Sequence, residues 1–329
     1  MEDRKLLDIK NLSVVYNTED ETVYAVDGLD ISLNRGETLG LVGETGAGKT
    51  TTALSIMRLL PQGIGKVTSG SITLDGKDIM KASERDIRAI RGNVVFMIFQ
   101  DPMTSLNPVM TVGNQILEVL RIHNPKMTKE DLDRSVDDMM NMVGIPVSRK
   151  YEYPHEFSGG MKQRIVIAIA LVCEPKLILA DEPTTALDVT IQAQMLALIH
   201  DLQMRLNTAM ILITHDLGII AQNCEKVAVM YAGEIVELGQ IERIFNGELK
   251  HPYTRGLFAS IPKLDSKVKR LEMIEGLMPD PTIQVEGCRF AERCKFAIEA
   301  CKDAPCLNEV ESDHLIRCHL YDKSDGGRQ

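Results

Sequence analysis

The stretch that decides the fold is "ETLGLVGETGAGKTTTALSIMRLL", residues 37–60. It begins with an apolar run, Thr38 to Val42, that is typical of a short buried strand. A glycine-rich turn follows, and after it apolar residues recur at helical spacing. These are Ala53, Ile56, Met57 and Leu60. The stretch therefore predicts a strand, a loop and a helix in succession.

The turn itself fits the phosphate-binding pattern G-x-x-x-x-G-K-[ST]. Its residues are Gly43, Glu44, Thr45, Gly46, Ala47, Gly48, Lys49 and Thr50, with Thr51 directly after them. Glycines let backbone N–H groups converge on phosphate oxygens, and the helix N-terminus adds its positive dipole end. Lys49 is predicted to reach the β- and γ-phosphates and Thr50 to ligate Mg²⁺. We therefore predict an ATP and Mg²⁺ site at this turn.

Two further apolar segments end in polar residues that suit nucleotide hydrolysis. "KLILADEP" at 176–183 ends in Asp181, which can hold Mg²⁺, and Glu182, which can orient and polarise the attacking water. "AMILITHD" at 209–216 places His215 after a strand in the same way. Open α/β sheets collect their ligand chemistry at the carboxyl ends of strands, so we expect these side chains near the phosphate-binding turn.

The composition of the chain excludes several classes of protein function. The chain has 329 residues, of which 44% are hydrophobic, so it can bury a sizeable core. A net charge of −10 argues against a broad nucleic-acid surface. The longest apolar run, "IVIAIALV" at 165–172, is far below the roughly 18 residues of a membrane span, and "MEDRK" lacks the form of a signal peptide. A soluble, cytoplasmic protein is predicted.

The segment between Lys49 and Asp181 is longer than one strand-helix-strand crossover requires, which predicts a helical insertion at about 101–165. "DLDRSVDDMMNMV" at 131–143 has one apolar helical face, and core packing is the preferred interpretation of its methionines. "HEFSGGMKQRIVIAIAL" at 155–171 places Ser158, Gly159 and Gly160 before an apolar helix. Such a loop can present N–H groups to a second phosphate.

Taken in order, these elements resemble an ATP-binding cassette (ABC) ATPase across residues 6–245. Phe157 to Met161 resembles the L-S-G-G-Q signature, Gln100 in "FMIFQDP" the Q-loop glutamine, "TALD" at 185–188 the D-loop, and His215 the switch histidine. The resemblance implies an α/β fold: a P-loop RecA-like nucleotide-binding domain with an antiparallel β subdomain and an inserted helical subdomain. It also implies that Gln100 contributes to Mg²⁺ binding and catalysis.

The same resemblance implies which residue contacts the adenine base and which residues contact a partner ATPase. Tyr16 is similar to the aromatic residue that stacks on adenine, with Tyr24 as a weaker rival. Two ABC domains associate head to tail, so Ser158, Gly159 and Gly160 are expected to contact the γ-phosphate held by a partner ATPase, in a homo- or heterodimer. Met161 departs from the glutamine of the signature, which puts in doubt the contacts that this position makes at the partner's site.

Met161 after Ser-Gly-Gly is familiar in one subgroup, the peptide importers. "QDPMTSLNPVMTVGNQI" at 100–116, "HPYTRGL" at 251–257 and "CHLYD" at 318–322 also resemble the ATPase subunits of dipeptide, oligopeptide and nickel importers. The resemblance implies an ATPase that energises solute import at the cytoplasmic face of the membrane. It also implies two permease subunits, an extracellular solute-binding protein acting indirectly, and no nucleic acid. Import of nickel or another small solute, and a non-transport ABC ATPase, stay open as alternatives.

Residues 246–329 are predicted to form a small C-terminal extension that contains five of the seven cysteines. Cys288, Cys294, Cys301 and Cys318 lie where members of this subgroup carry tail cysteines, and some members hold a [4Fe-4S] cluster there. The spacing lacks the tight C-x-x-C pairs usual in structural zinc sites, but zinc and unligated thiols stay open. Further candidate ligands are Cys306, His314 and His319, whereas Cys173 and Cys224 are interpreted as ordinary thiols in apolar segments. The long sequence separation from the nucleotide motifs predicts that the thiol and nucleotide sites are independent.

Overall fold

A computed structural model describes residues 5–100, 105–184, 188–261 and 273–322. Its strands are β1 (Lys5–Asn17), β2 (Thr22–Asn34), β3 (Thr38–Val42), β4 (Gly65–Leu74), β5 (Lys77–Asp78), β6 (Val95–Ile98), β7 (Leu177–Asp181), β8 (Ala209–Thr214), β9 (Lys226–Tyr231), β10 (Glu234–Gln240), β11 (Leu307–Glu311) and β12 (His314–Arg317). Its helices are α1 (Lys49–Ile56), α2 (Glu84–Ile90), α3 (Val112–His123), α4 (Lys129–Met142), α5 (Gly159–Leu171), α6 (Val189–Leu206), α7 (Leu217–Asn223), α8 (Ile241–Asn246) and α9 (Pro252–Ala259). None of the helices in these ranges combines the length and hydropathy needed to cross a bilayer.

The N-terminal strands form the antiparallel subdomain that the sequence predicted. Its order is β2-β1-β4-β5, with β1 hydrogen-bonded to β2 on one side and to β4 on the other. In β1 the side chains of Leu7, Ile9, Leu12 and Val14 are fully buried. This sheet therefore packs as a layer against the rest of the protein.

The second sheet has eight strands in the order β11-β12-β10-β9-β3-β8-β7-β6. Its central part is parallel: β3 lies between β8 and β9, and β7 lies between β8 and β6. The predicted strand at Thr38–Val42 is confirmed as β3, and all five of its residues are buried. The phosphate-binding turn therefore follows a strand in the middle of the sheet.

Alternation along the parallel strands divides the interior into two cores. In β7, Leu177 and Leu179 pack into one core with the antiparallel sheet and α1. Ile178 and Ala180 pack into the other core with α3, α4, α5 and α6. Because both faces are covered, these strands are continuously apolar, as expected for a buried parallel sheet.

Helices α3 and α4 lie within the predicted helical insertion and pack on each other and on α5. The apolar face of α4 is confirmed as core, with Leu132, Val136, Met139 and Met140 all buried. Thr128 caps α4 by accepting a hydrogen bond from the Asp131 N–H at 3.2 Å. The methionines of this helix therefore have a packing role.

The C-terminal extension joins the eight-stranded sheet. Strand β12 pairs antiparallel with β10, and β11 pairs with β12. Beside them the rings of Tyr231, Tyr253 and Phe290 meet with centroids 4.7 to 5.5 Å apart. Each such aromatic pair contributes about 0.5–1.5 kcal/mol beyond its buried area. The cysteine-containing segment is therefore attached to the sheet by both hydrogen bonds and aromatic packing.

A buried carboxylate fastens β12 to β10. Glu237 is fully buried and accepts a hydrogen bond from the His251 N–H at 2.8 Å. Its other oxygen lies 2.8 Å from His314 Nε2, and His314 is also buried. Loss of one partner from such a pair leaves an uncompensated buried charge.

We predict that His314→Ala lowers the free energy of unfolding by about 3 kcal/mol, because the Glu237 carboxylate loses a buried partner. Urea denaturation measures this loss, and limited proteolysis shows whether the extension loosens first. Arg243→Ala is the matched control, since Arg243 pairs with Glu311 at the surface and should cost less than about 1 kcal/mol. Equal losses in the two variants would contradict the prediction.

Candidate nucleotide site

The phosphate-binding turn connects β3 to α1, as the sequence predicted. Gly48 has φ 101°, and a Cβ atom there would lie 2.4 Å from the Ala25 carbonyl oxygen, so only glycine fits. Lys49 Nζ donates to the carbonyl oxygens of Gly43 and Glu44 at 2.7 and 2.9 Å. Lys49 is thereby held along the turn, where its ammonium group faces the space a phosphate would take.

Lys49 and Asp181 lie in a partly desolvated site, where burial and neighbouring charges both shift their pKa values. Burial lowers the pKa of Lys49, while the negative charges of Glu182, Asp181 and Glu44 act to raise it. Burial raises the pKa of Asp181, the Thr50 hydrogen bond acts to lower it, and the charge of Glu182 raises it further. A buried carboxylate whose pKa is raised in this way, next to a second carboxylate, fits a bound cation.

The hard oxygens that could hold that cation lie together. Thr50 Oγ1 donates to Asp181 Oδ2 at 2.8 Å, joining the first turn of α1 to the end of β7. Gln100, two residues beyond β6, also lines this cleft. Hydroxyl, carboxylate and amide oxygens are the ligands that Mg²⁺ prefers. The donor set therefore fits Mg²⁺.

Glu182 is held in an unusual backbone conformation between two side chains. Its φ is +45°, which is uncommon for a residue other than glycine and is typical of functional sites. One carboxylate oxygen lies 3.0 Å from His215 Nδ1, and the other accepts from Gln100 Nε2 at 3.3 Å. His215 is 72% exposed, so it approaches Glu182 from the solvent side. The structure thus brings Gln100, Glu182 and His215 together.

One cleft collects most of the predicted nucleotide residues. It is lined by Tyr16, Val23, Ala25, Thr45, Gly46, Gly48, Lys49, Thr50, Thr51, Gln100, Asp181, Glu182, His215 and Pro281. Gly43, Glu44 and Ala47 belong to the same turn but are not among the residues that line the cleft. Ser158, Gly159 and Gly160 do not line the cleft, as expected if they act on a partner's nucleotide.

Tyr16 and Tyr24 occupy different places. Tyr16 lines the cleft, and its hydroxyl lies 3.1 Å from Thr51 Oγ1. Tyr24 lines a neighbouring pocket with Met278, and its backbone N–H donates to the Pro281 carbonyl oxygen at 2.8 Å. The structure therefore favours Tyr16 over Tyr24 as the residue that a base would stack upon.

The signature segment is held by an arginine that the sequence did not single out. Ser158 precedes α5 as its N-cap residue, and its side chain makes no capping hydrogen bond. The Arg149 guanidinium lies 4.2 Å from the centroid of the Phe157 ring and 3.3 Å from the Met161 sulfur. Phe157 and the departure from the signature at Met161 thus contact one side chain. The D-loop residues 185–187 lie outside the described residues.

The four tail thiols affect one another electrostatically. Burial raises the pKa of Cys288 to about 11, and the nearby thiols of Cys301, Cys318 and Cys294 raise it further. Burial also raises the pKa of Cys318, with Cys294 and Cys301 again adding to the rise. Within the described ranges, however, no three His, Cys, Asp or Glu side chains are spaced to hold a single metal ion.

The other ligand candidates of the tail are engaged elsewhere. His314 contacts Glu237 in the core, and both ring nitrogens of His319 have partners, at 2.7 Å from Asp322 Oδ2 and 3.0 Å from the Asp303 carbonyl oxygen. Cys306 is exposed, whereas Cys173 and Cys224 pack against the core. Cys288, Cys294, Cys301 and Cys318 thus remain the candidate set.

Sequence reasoning missed the contribution of the extension to this region. Pro281 lines the cleft, and the Tyr253 hydroxyl accepts from the Glu44 N–H at 3.0 Å. Arg293 contacts the Glu44 carboxylate. The resemblance at "HPYTRGL" predicts no such contact, and no local pattern marks Pro281 or Arg293 as neighbours of a turn more than 200 residues away.

A glycine-rich turn at the centre of a parallel sheet, with an acidic pair and a histidine at the same edge, defines a P-loop ATPase. Residues 26–185 match the ABC transporter family model, and residues 236–301 match the oligopeptide/dipeptide transporter C-terminal region. The chain belongs to the ABC transporter ATPases, in the group of oligopeptide and dipeptide transport ATP-binding proteins. The predicted family, fold class and ATPase activity are thereby confirmed.

Similar proteins span nearly the whole chain. An oligopeptide transport ATP-binding protein of Bacillus subtilis is 48% identical over 327 residues, covering 98% of this chain and 99% of the relative. A dipeptide transport ATP-binding protein of the same organism is 48% identical over 322 residues, covering 97% and 96%.

Solved structures support the cassette fold. A subunit of the cbiONQ ABC transporter complex of Clostridium perfringens superposes with TM-score 0.64 at 30% identity, covering 74% of this chain and 91% of that chain. A dimeric bacterial ABC transporter cassette superposes with TM-score 0.63 at 25% identity, covering 71% and 98%.

We predict that Tyr16→Ala weakens ATP and GTP binding together, by about 1–3 kcal/mol, because stacking on an aromatic ring does not discriminate between purines. Tyr16→Phe should retain the affinity, since it keeps the ring and loses only the contact with Thr51. Isothermal titration with each nucleotide measures the change. Tyr24→Ala is the control, and a greater loss in that variant would move the stacking role to Tyr24.

Proposed function

We propose that this chain is the ATP-hydrolysing subunit of an importer of dipeptides or oligopeptides, bound at the cytoplasmic face of the membrane. One observation carries the proposal: a cleft suited to MgATP lies in the same chain as residues 236–301, which match the oligopeptide/dipeptide transporter C-terminal region. Relatives named for oligopeptide and dipeptide transport along almost their full length support the same cargo class.

The residues of the cleft have different roles in ATP hydrolysis. Backbone N–H groups of the turn and Lys49 bind the phosphates, while Thr50, Asp181 and Gln100 would hold Mg²⁺, which neutralises phosphate charge when bound. Glu182 orients the attacking water, and His215 and Gln100 hold the Glu182 carboxylate through its two oxygens. Tyr16 stacks on the base.

The cleft needs a second cassette to be complete. Ser158 is the N-cap residue of α5, and Gly159 and Gly160 begin its first turn, outside their own cleft, where all three can reach a nucleotide held by another ATPase subunit. Arg149 keeps this segment in place through Phe157 and Met161. Closure of two such surfaces on ATP, and their separation after hydrolysis, transmits force to the permease subunits.

Affinity purification from native membranes tests the cargo class. Permease subunits and a peptide-binding protein should co-purify with the chain. Their replacement by a nickel-binding protein would assign the nickel alternative, and recovery with ribosomes in place of any permease would contradict a role in transport.

We predict that Glu182→Gln lowers ATP turnover of the assembled transporter by about a hundredfold or more, because the amide cannot accept a proton from water. ATP binding should persist, and the closed ATPase dimer should accumulate. Phosphate release and size-exclusion chromatography measure the two effects. Lys49→Ala provides the contrast, since it should lose triphosphate binding itself. Wild-type turnover in Glu182→Gln would exclude Glu182 as the base.

The second part of the proposal concerns the tail: Cys288, Cys294, Cys301 and Cys318 hold a [4Fe-4S] cluster that helps to fold the extension. Four thiolates are the usual ligands of such a cluster. Their mutual electrostatic influence supports one shared site. Burial raises the pKa of Cys288, Cys294 and Cys318, and a backbone N–H two residues further along the chain acts in each case to lower it. These donors are Phe290, Phe296 and Leu320.

We predict that anaerobically purified protein is brown, absorbs broadly near about 400 nm and contains about four irons per chain. Cys301→Ser should bleach it and make the extension sensitive to protease, because ligand binding there contributes to folding. Cys306→Ser is the control and should stay coloured. Colourless protein with stoichiometric zinc, or with no metal, would contradict the cluster.

A further inference from the structure

Arg293, in the segment between the tail cysteines, reaches the phosphate-binding turn. Its Nη1 lies 3.2 and 3.1 Å from the two carboxylate oxygens of Glu44 and 3.2 Å from the Tyr231 hydroxyl. Its Nε donates to the Glu275 carbonyl oxygen at 3.0 Å, and its side chain is only 6% exposed. The next residue in the chain is Cys294. One buried arginine thus joins the thiol segment to the turn that binds phosphate.

Arg289, which directly follows Cys288, makes a second connection from the thiol segment toward the turn. Its guanidinium donates to Asp27 and to the carbonyl oxygen of Ala232. The neighbouring Gly233 accepts from the Asp27 N–H and donates its own N–H to the Ala47 carbonyl oxygen, both at 3.0 Å. Both arginines are therefore adjacent in sequence to a tail cysteine and close in space to the phosphate-binding turn.

Backbone hydrogen bonds set the positions of these arginines. The Cys288 N–H donates to the Cys301 carbonyl oxygen at 3.0 Å, and the Arg293 N–H donates to the Phe290 carbonyl oxygen at 3.1 Å. The Cys294 N–H donates to the Ala291 carbonyl oxygen at 3.2 Å. A change in the order of the thiol segment would therefore move Arg293 relative to Glu44.

The charge of Glu44 makes this contact important for nucleotide binding. Glu44 belongs to the turn that must accept a triphosphate, and an unpaired carboxylate there would repel the phosphates. Arg293 neutralises that carboxylate and fixes the side chain by contacting both of its oxygens. The desolvated surroundings of Arg293 strengthen the interaction compared with a surface ion pair.

We propose that Arg293 is a positioning residue of the nucleotide site, which makes nucleotide affinity depend on the order of the four-thiol segment. The proposal rests on the nucleotide site described under the proposed function. It replaces the expectation, drawn from sequence separation, that the thiol and nucleotide sites are independent. Because coupling between two binding sites is reciprocal, bound MgATP also protects the extension.

The test measures the dissociation constant of MgATP for the full chain. Arg293→Met keeps most of the side-chain volume, removes the charge and should weaken binding about tenfold, as expected for loss of a charged hydrogen bond. Lys302→Met is the matched control in the same segment, since Lys302 pairs with Glu299 at the surface, and it should leave the affinity unchanged. Unchanged affinity in Arg293→Met would overturn the proposal.

A second variant separates this role from simple unfolding of the extension. Glu44→Gln removes the carboxylate that Arg293 neutralises, so the double variant Arg293→Met with Glu44→Gln should recover most of the lost affinity. The double variant would stay as weak as Arg293→Met if Arg293 only stabilised the extension, and that result would also overturn the proposal. If the wild-type chain failed to bind MgATP, the proposed function itself would fail.

The link to the thiols is tested in the same way. Cys294→Ser should weaken MgATP binding and Glu44→Gln should restore it, while Cys306→Ser should have no effect. In the wild type, saturating MgATP should slow protease cleavage of residues 273–322, and in Arg293→Met this protection should be lost. Wild-type affinity in Cys294→Ser would show that Arg293 keeps its position without the thiol segment, and would overturn the coupling.

Discussion

The hydrogen bonds that hold β3 between β8 and β9 are the constraint on which the rest of the site depends. They align the carboxyl ends of these strands, and β7 extends the same edge. Because β3 is buried on both faces, a shift by one residue would exchange the side chains that it packs into the two cores. Lys49, Asp181 and His215 each follow a strand or end one, and therefore acquire fixed separations although they are far apart in sequence.

The site combines rigid backbone with opposed charges. Gly48 allows the turn to pass close to Ala25, and the positive φ of Glu182 turns its side chain toward His215 and Gln100. The buried ammonium group of Lys49 and the buried carboxylate of Asp181 would each be unfavourable alone, so each stabilises the charge of the other. Such an arrangement is prepared for a phosphate and a divalent cation before either binds, and little rearrangement is then needed for chemistry.

Much of this architecture could be predicted from the sequence because its signals are local. The apolar run before Gly43, the acids after β7 and the apolar face of α4 each occupy one short segment, and the structure has the predicted elements there. The contacts of Arg293 with Glu44 and of Pro281 with Tyr24 join segments roughly 250 residues apart. No pattern within either segment records its partner, since register between distant segments is set by packing of the whole fold. For the same reason, no sequence pattern predicts the contacts of Arg149 with Phe157 and Met161.

The pairing of β12 with β10 bears on how the chain can be divided. A boundary at 245/246 separates two sets of sequence motifs, but it crosses a continuous sheet. A fragment ending there would present the free edge of β10, whose unpaired N–H and C=O groups could pair with another molecule. It would also leave Glu237 buried without His314 or His251. The extension therefore covers the edge of β10. We expect the cassette and the tail to be inherited together in evolution.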